Sequence, residues 1–101
     1  MRFLVIERVR GSAIPTDQAE FAKMAADSIK YKLDLEKKKV VTGGPFLDIL
    51  ADGYIIETDT LEELGEIFFN SPSNLAVDRE VHPLGSYRDS LEGMKEIRKH
   101  H

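Results

Sequence analysis

Cysteine is absent from the 101-residue sequence, and long apolar runs are absent as well. Without cysteine, disulfides, thiolate catalysis and thiolate metal sites are excluded, and a disulfide-free domain is typical of a reducing compartment. The longest apolar run near the start covers only residues 3–6, which is too short for a signal sequence or a membrane span. We therefore expect a cytoplasmic protein without a membrane partner.

An excess of positive charge is also missing, because the formal net charge is −4. Proteins that bind nucleic acid usually carry a basic patch. The one basic run, residues 37–39, follows a predicted helix, and a helix C-terminus attracts positive side chains. We therefore expect no nucleic-acid partner.

The common signatures of cofactor, metal and nucleophile sites are missing too. Gly43-Gly44 lacks the Gly-Lys-Ser/Thr ending of a phosphate loop, so it indicates a turn or bulge. His82 is the one histidine away from the C-terminus, and no zinc-ligand spacing surrounds it. The sequence also has no Gly-x-Ser-x-Gly motif. We expect neither a cofactor nor a bound metal.

The pattern that remains alternates strand and helix signals. An apolar residue at every fourth position predicts a first helix, which is capped by Thr16 and reaches about residue 38. A capping box at residues 60–63 predicts a second, shorter helix, and residues 87–97 have the spacing of a third. Apolar runs and alternations predict four strands, over residues 2–10, 39–44, 53–58 and 75–83.

The order β-α-β-β-α-β followed by a helix is the ferredoxin-like split pattern. We predict an α+β fold in which residues 1–86 form a four-stranded antiparallel sheet with two helices on one face, and residues 87–101 form a helical tail. The other face of the sheet needs cover, which a second copy of the same sheet supplies. We therefore expect a homodimer, and we expect the tail helix to dock its apolar stripe, across the dimer.

Several segments resemble the dimeric α+β barrel superfamily. Gly44-Pro45 after the second strand, the glycine-led third strand at residues 53–56 and the helix start at residues 59–63 resemble the YCII-related family. Residues 52–84, which end in Glu-Val-His-Pro-Leu, are similar in spacing to the muconolactone isomerase family. The resemblance implies a dimeric α+β barrel and an enzyme of isomerase or lyase type.

The chain departs from both families where their site residues lie. YCII-related proteins are associated with a His near the first strand and an Asp before the Pro that ends the second helix, but no His precedes His82 and Ser71 occupies the second position. Muconolactone isomerase is associated with a Lys and a Glu on the first helix. Lys23 and Asp27 lie in that region here, with an offset of one residue.

Three residues are candidates for acid and base catalysis: His82, Glu80 and Glu7. The ordinary pKa of histidine, about 6.5, suits proton transfer at neutral pH, although a surface or dimer-contact histidine is the alternative for His82. Glu7 lies either in solvent near a strand end or in a polar cavity, where its pKa would be raised.

Ligand-binding candidates are Arg8, Tyr54 and Asp78. Arg8, together with Arg10, is suited to hold a carboxylate, and a solvated charge at a strand end is the alternative reading. Tyr54 either donates a hydrogen bond to a ligand or packs in the core. Asp78 is expected to share a strand face with Glu80 and His82.

The resemblance, together with these candidate residues, implies a small cofactor-free enzyme of isomerase or lyase type that moves a proton next to a carbonyl in a ring-sized carboxylic acid. The alternative is a non-catalytic module that binds a small ligand or a partner on the same scaffold, and a monooxygenase of this barrel class is a third reading. We expect the site between the two sheets of the dimer, lined by Glu7, Tyr54, Glu80 and His82.

Overall fold

Four strands and three helices make up residues 1–100, which are the part of the chain that the computed structural model describes. Short 3-10 turns at Gly11–Ala13 and Asn74–Ala76 precede the first helix and the last strand. None of the helices within residues 1–100 is long and apolar enough to cross a membrane. In chain order the elements are β1 (Arg2–Val9), α1 (Gln18–Lys37), β2 (Val41–Pro45), β3 (Ala51–Glu57), α2 (Leu61–Phe69), β4 (Val77–Leu84) and α3 (Tyr87–Lys99).

The strands form one antiparallel sheet in the order β2-β3-β1-β4. The predicted α+β fold with split βαββαβ order is therefore confirmed. Val5 of β1 lies opposite Tyr54 of β3 and Val81 of β4. Because successive side chains of a strand point to opposite faces, this register determines which residues of the four strands share a face.

The helices begin at side chains that cap their free N–H groups. The backbone N–H of Ala19 donates to Asp17 at 2.7 Å, so Asp17 caps α1 and the predicted cap, Thr16, lies one residue too early. The N–H of Glu63 donates to Thr60 at 3.1 Å, as the capping box predicted. The Glu63 carboxylate reaches back to the N–H of Asp59 at 3.0 Å rather than to that of Thr60.

Two of the differences between the predicted and observed strand boundaries have clear physical reasons. Leu75 was expected to begin the fourth strand, but it lies in a 3-10 turn and is 86% exposed. Pro45 ends β2 inside the sheet. A proline is tolerated there because β2 is an edge strand, where the missing N–H leaves no ladder bond broken.

The core lies between the sheet and the two helices that cover it. Phe3 and Val5 from β1, Tyr54 and Ile56 from β3, and Leu64 from α2 are buried there. Partly buried side chains of α1 and α2 pack around this cluster. The core therefore occupies one face of the sheet, and Leu4, Ile6 and Ile55 on the opposite face are only half-buried.

Helix α3 is present as predicted and extends away from the rest of the domain. Every residue from 81 to 100 is exposed, including the apolar stripe of Tyr87, Leu91, Met94 and Ile97. The Cα radius of gyration is 17.2 Å, whereas a compact domain of this length has about 13 Å. The docking of this stripe across a dimer stays a prediction.

The close contact of β2 with β3 at Gly43 yields a first prediction. A Cβ atom at Gly43 would lie 2.3 Å from the Gly53 carbonyl oxygen and 2.5 Å from the Tyr54 Cα atom. Gly43→Ala should therefore lower the free energy of unfolding by about 1–3 kcal/mol, measured by urea denaturation. The control is Gly65→Ala in α2, where the space is open and a gain of about 0.5–1 kcal/mol is expected. Equal effects of the two substitutions would contradict the close contact.

Candidate functional site

Glu7 is a buried carboxylate in the middle of the sheet. It lies on β1 between Val5 and Val9, on the face that the helices cover, and is 1% exposed. Arg79 of β4 donates from Nε to Glu7 Oε2 at 2.6 Å, because the register places the two residues opposite each other. The Tyr54 hydroxyl donates to the same oxygen at 3.0 Å.

Lys32 of α1 connects Glu7 to a second carboxylate. Its ammonium group donates to Glu7 Oε1 and to Asp52 Oδ2. The Lys32 nitrogen also lies 5.0 Å from the centre of the Tyr54 ring, within the range of a cation–π interaction. We call Glu7, Lys32, Asp52, Tyr54 and Arg79 the ionic network; its two carboxylates balance its two cations.

Arg79 is held from several sides at once. Its Nη1 donates to Asn74 at 3.0 Å, and its guanidinium stacks on the Phe68 ring at 4.2 Å from the centre. Its Nη2 is buried and has no hydrogen-bond partner within residues 1–100. Arg79 therefore holds Glu7 in position from the neighbouring strand β4. Its buried Nη2 is left as an unsatisfied donor, which costs free energy.

The pKa values of Glu7 and Asp52, the two carboxyl groups of the ionic network, are shifted in opposite directions. Burial alone would raise the pKa of Glu7, but the hydrogen bonds and charges of Lys32 and Arg79 together hold it below its ordinary value. Burial raises the pKa of Asp52, and Lys32 offsets this only in part. Burial and the neighbouring Glu7 charge also raise the pKa of the Tyr54 hydroxyl. Asp52 is therefore the carboxyl group of the pair that is better suited to take up a proton.

A cavity of about 230 Å³ lies between α1 and the sheet. An apolar cavity of about 150 Å³ holds a benzene molecule, so this one has room for a six-membered ring with substituents. Lys32, Asp52 and Tyr54 line it, whereas Glu7 lies behind Lys32 and Tyr54. Most of the wall is apolar, and includes Val9, Phe21, Met24, Ile29, Leu50 and Val77.

The structure separates the residues that the sequence placed in one site. Glu7 and Tyr54 lie on the helix-covered face, in the ionic network. Glu80 and His82 lie on the opposite face, because β4 presents Arg79 and not Glu80 to Glu7. The prediction that these four residues line one cavity is therefore wrong, and a catalytic role for His82 stays a prediction.

The residues on the opposite face form exposed ion pairs. His82 Nε2 lies 2.9 Å from Glu80 Oε2, and this hydrogen bond lowers the pKa of Glu80. Arg8 lies 3.9 Å from Glu80 and Arg10 lies 3.5 Å from Asp78. These arginines pair with carboxylates of the same chain and do not face the cavity.

Three residues of the network were not among the predicted site residues: Lys32, Asp52 and Arg79. Two of them carried a signal in the sequence. Lys32 follows Ile29 by three positions and so interrupts the apolar stripe of α1. Arg79 alternates with Val77 and Val81 at a position where strand parity demands a core side chain.

Lys23 and Asp27, the pair that matched muconolactone isomerase with an offset, lie outside the cavity. They form an exposed salt bridge of 2.9 Å along α1. Within residues 1–100, no group of three or more His, Asp or Glu side chains is placed to hold a metal ion.

Sheet order and helix placement define the fold class of the protein: it has the ferredoxin-like α+β fold of the dimeric α+β barrel proteins. No protein-family model and no curated protein matches the sequence. Among solved structures, muconolactone isomerase is similar with a TM-score of 0.75 and 20% identity, over 86% of this chain and 91% of that chain. The predicted likeness to muconolactone isomerase is thus confirmed for the fold.

A second similar structure is 5-chloro-2-hydroxyhydroquinone dehydrochlorinase from Burkholderia phenoliruptrix AC1100, in complex with 2,5-dihydroxybenzoquinone. Its TM-score is 0.64 at 21% identity, over 88% of this chain and 98% of that chain. Both of these similar structures are of enzymes, whose names describe an isomerisation and a dehydrochlorination.

The ionic network yields a prediction about stability. Arg79→Met should lower the free energy of unfolding by about 3–5 kcal/mol, because it leaves the buried Glu7 anion with fewer partners. The double variant Glu7→Leu/Arg79→Met should cost less than the two single substitutions together. Urea denaturation measures all three. Lys23→Met, which removes an exposed pair, is the control and should cost less than about 1 kcal/mol. An Arg79→Met effect as small as the control would contradict the proposed importance of the network.

Proposed function

We propose that this protein is a homodimeric, cofactor-free enzyme of isomerase or lyase type, located in the cytoplasm, that transfers a proton on a small ring-shaped carboxylic acid. The observation that carries the proposal is an apolar, ring-sized cavity whose wall contains Lys32 and Asp52 side by side. The enzymes of similar structure on the same scaffold support it.

The two polar residues divide the chemistry of a proton transfer next to a carbonyl. Asp52 acts as the base that removes the C–H proton, since its pKa is raised toward neutrality by burial. Lys32 stabilises the negative charge that develops on the carbonyl oxygen of the substrate. Asp52 then returns the proton to another carbon in an isomerisation, or the enolate expels a leaving group in an elimination.

Glu7 and Arg79 support this chemistry without contact to the substrate. Glu7 holds the Lys32 ammonium from behind, and Arg79 and Tyr54 hold Glu7. The Tyr54 hydroxyl donates its hydrogen bond to Glu7. The ring of Tyr54, rather than its hydroxyl, is therefore available to a ligand. These residues are therefore positioning residues in the proposal.

In the proposed dimer, the sheet face that the helices leave uncovered, which we call the open face, packs against the open face of a second copy. On that face Leu4, Ile6 and Ile55 remain half-buried in the single chain, and in α3 the side chains of Leu91 and Met94 are 56% and 60% exposed. Monomeric proteins seldom expose contiguous apolar patches larger than a few hundred Å². A second copy would cover both surfaces.

Sedimentation velocity tests the dimer. The unmodified protein should sediment with twice the mass of the chain, and Ile6→Lys at the centre of the open face should sediment as a monomer, because it would bury an unpaired charge. Leu61→Lys, at an apolar position of α2 that is 60% exposed, should remain a dimer. A chain that ends at Ser86 should melt at a lower temperature or dissociate. A monomer mass for the unmodified protein would refute the dimer.

Proton exchange tests the activity. The protein is incubated with muconolactone in D₂O, and ¹H NMR follows the loss of the C–H signals next to the carbonyl. We expect enzyme-dependent exchange, and Asp52→Asn should slow it by at least about 100-fold, since it removes the proposed base. Asp27→Asn, which alters an exposed carboxylate of α1 outside the cavity, should leave the rate unchanged. Equal rates for the two variants would exclude Asp52 as the base.

One observation favours the alternative of a non-catalytic ligand-binding module: Asp52 is already engaged by Lys32, so the base of the proposed reaction is held in an ion pair before a substrate binds. Saturation of the cavity with 2,5-dihydroxybenzoquinone or muconolactone, without exchange of either compound, would support that module instead.

A further inference from the structure

The ionic network has no spare charge to offer a ligand. The carboxylates of Glu7 and Asp52 balance the cations of Lys32 and Arg79. Within residues 1–100, the Lys32 ammonium meets two acceptors, and an ammonium group has three N–H donors. One donor therefore remains for a ligand in the cavity, while the overall charge beside it is zero.

An anionic ligand would upset this balance. A carboxylate or enolate bound at Lys32 would add a third negative charge beside two cations in a largely apolar cavity, and this disfavours the ionised forms of Asp52 and of the ligand. A proton bound by one of them restores neutrality. It also converts an acceptor into a donor, which then forms a hydrogen bond to the other carboxylate.

The surroundings decide which group takes the proton. Lys32 of α1 contacts Asp52, and the charges of Glu7 on β1 and Arg79 on β4 also act on it. Tyr54 lies on the same strand as Asp52, and Glu36 of α1 lines the same cavity. Strand β2 (Val-Thr-Gly-Gly-Pro) has no titratable side chain. Glu7 is enclosed by two cations and a hydroxyl donor, and it does not line the cavity. Asp52 lines the cavity and has one cation as its direct partner.

We infer that the anion held at Lys32 is the ring enolate of the proposed reaction, beside which Asp52 carries the proton that it removed, and that a ring carboxylate from solution takes the place of this enolate and binds together with one proton from solvent, which Asp52 accepts. This inference rests on the proposed function for its site and adds the charge state of the ligand and the proton that accompanies it. The raised pKa of Asp52 and the lowered pKa of Glu7 agree with this assignment.

The consequence is an affinity that depends on pH. An anion that binds together with one proton loses affinity by about tenfold for each pH unit above the pKa of free Asp52. A neutral ring of the same shape needs no proton, so its affinity should not change over the same range. The pair of benzoate and benzamide differs in this way and suits the size of the cavity.

Isothermal titration calorimetry tests the inference. Benzoate is titrated into the full chain at about pH 7 in two buffers of different ionisation enthalpy, and the difference in apparent binding enthalpy counts the protons taken up. We expect about one proton for benzoate and about none for benzamide. In Asp52→Asn, which keeps the shape of the side chain and the contact of Lys32 with Glu7, benzoate should bind without a proton and with little dependence on pH.

Glu36→Gln is the matched control, because Glu36 also lines the cavity; it should keep the uptake of one proton. Benzoate binding without proton uptake, or with uptake that persists in Asp52→Asn, would overturn the inference and leave the proposed function intact. If neither benzoate nor benzamide bound at the cavity, the inference and the proposed site would both fail. Thermal melting of each variant reports whether it is folded.

Discussion

The arrangement of this protein depends on the neutralisation of one buried carboxylate. Glu7 lies on β1, an inner strand of the sheet, where burial of an unpaired anion would cost several kcal/mol. Lys32 reaches it from α1, Arg79 from β4 and Tyr54 from β3. One carboxylate therefore connects the first helix to three strands, and its requirement for partners places α1 over the sheet.

The same requirement creates the candidate site. Lys32 must direct its ammonium group towards Glu7, and in that position it also meets Asp52 at the wall of the cavity. The Lys32 charge that neutralises the buried Glu7 therefore also lies beside any ligand in the cavity. The stability of the fold and the proposed chemistry therefore share Lys32, and the pairing of its charge explains why charged side chains are tolerated at the edge of an apolar cavity.

The sheet has two faces with different chemistry. Towards the helices lie the ionic network and the cavity; on the open face lie the exposed pair of Glu80 and His82 and a half-buried apolar centre. This division follows from a register in which Glu7 pairs with Arg79. A shift of one residue would exchange the two sets of side chains between the faces.

Much of the fold was predictable because its signals are local. The capping box at Thr60, the spacing of apolar residues in α1 and α3, and the strand alternations each act within a few residues, and together they give the order of elements. Small errors remained where two neighbouring residues compete for one role, as Thr16 and Asp17 do at the start of α1.

The sequence by itself determined the elements, their order and the presence of a carboxylate at position 7 on a strand of core residues. Only the tertiary structure decided what that carboxylate meets. Its partners Lys32, Tyr54 and Arg79 are 25, 47 and 72 positions away along the chain. No local pattern encodes such separations, because the distance between two side chains in different elements depends on the register of the strands and on the position of the helix above them.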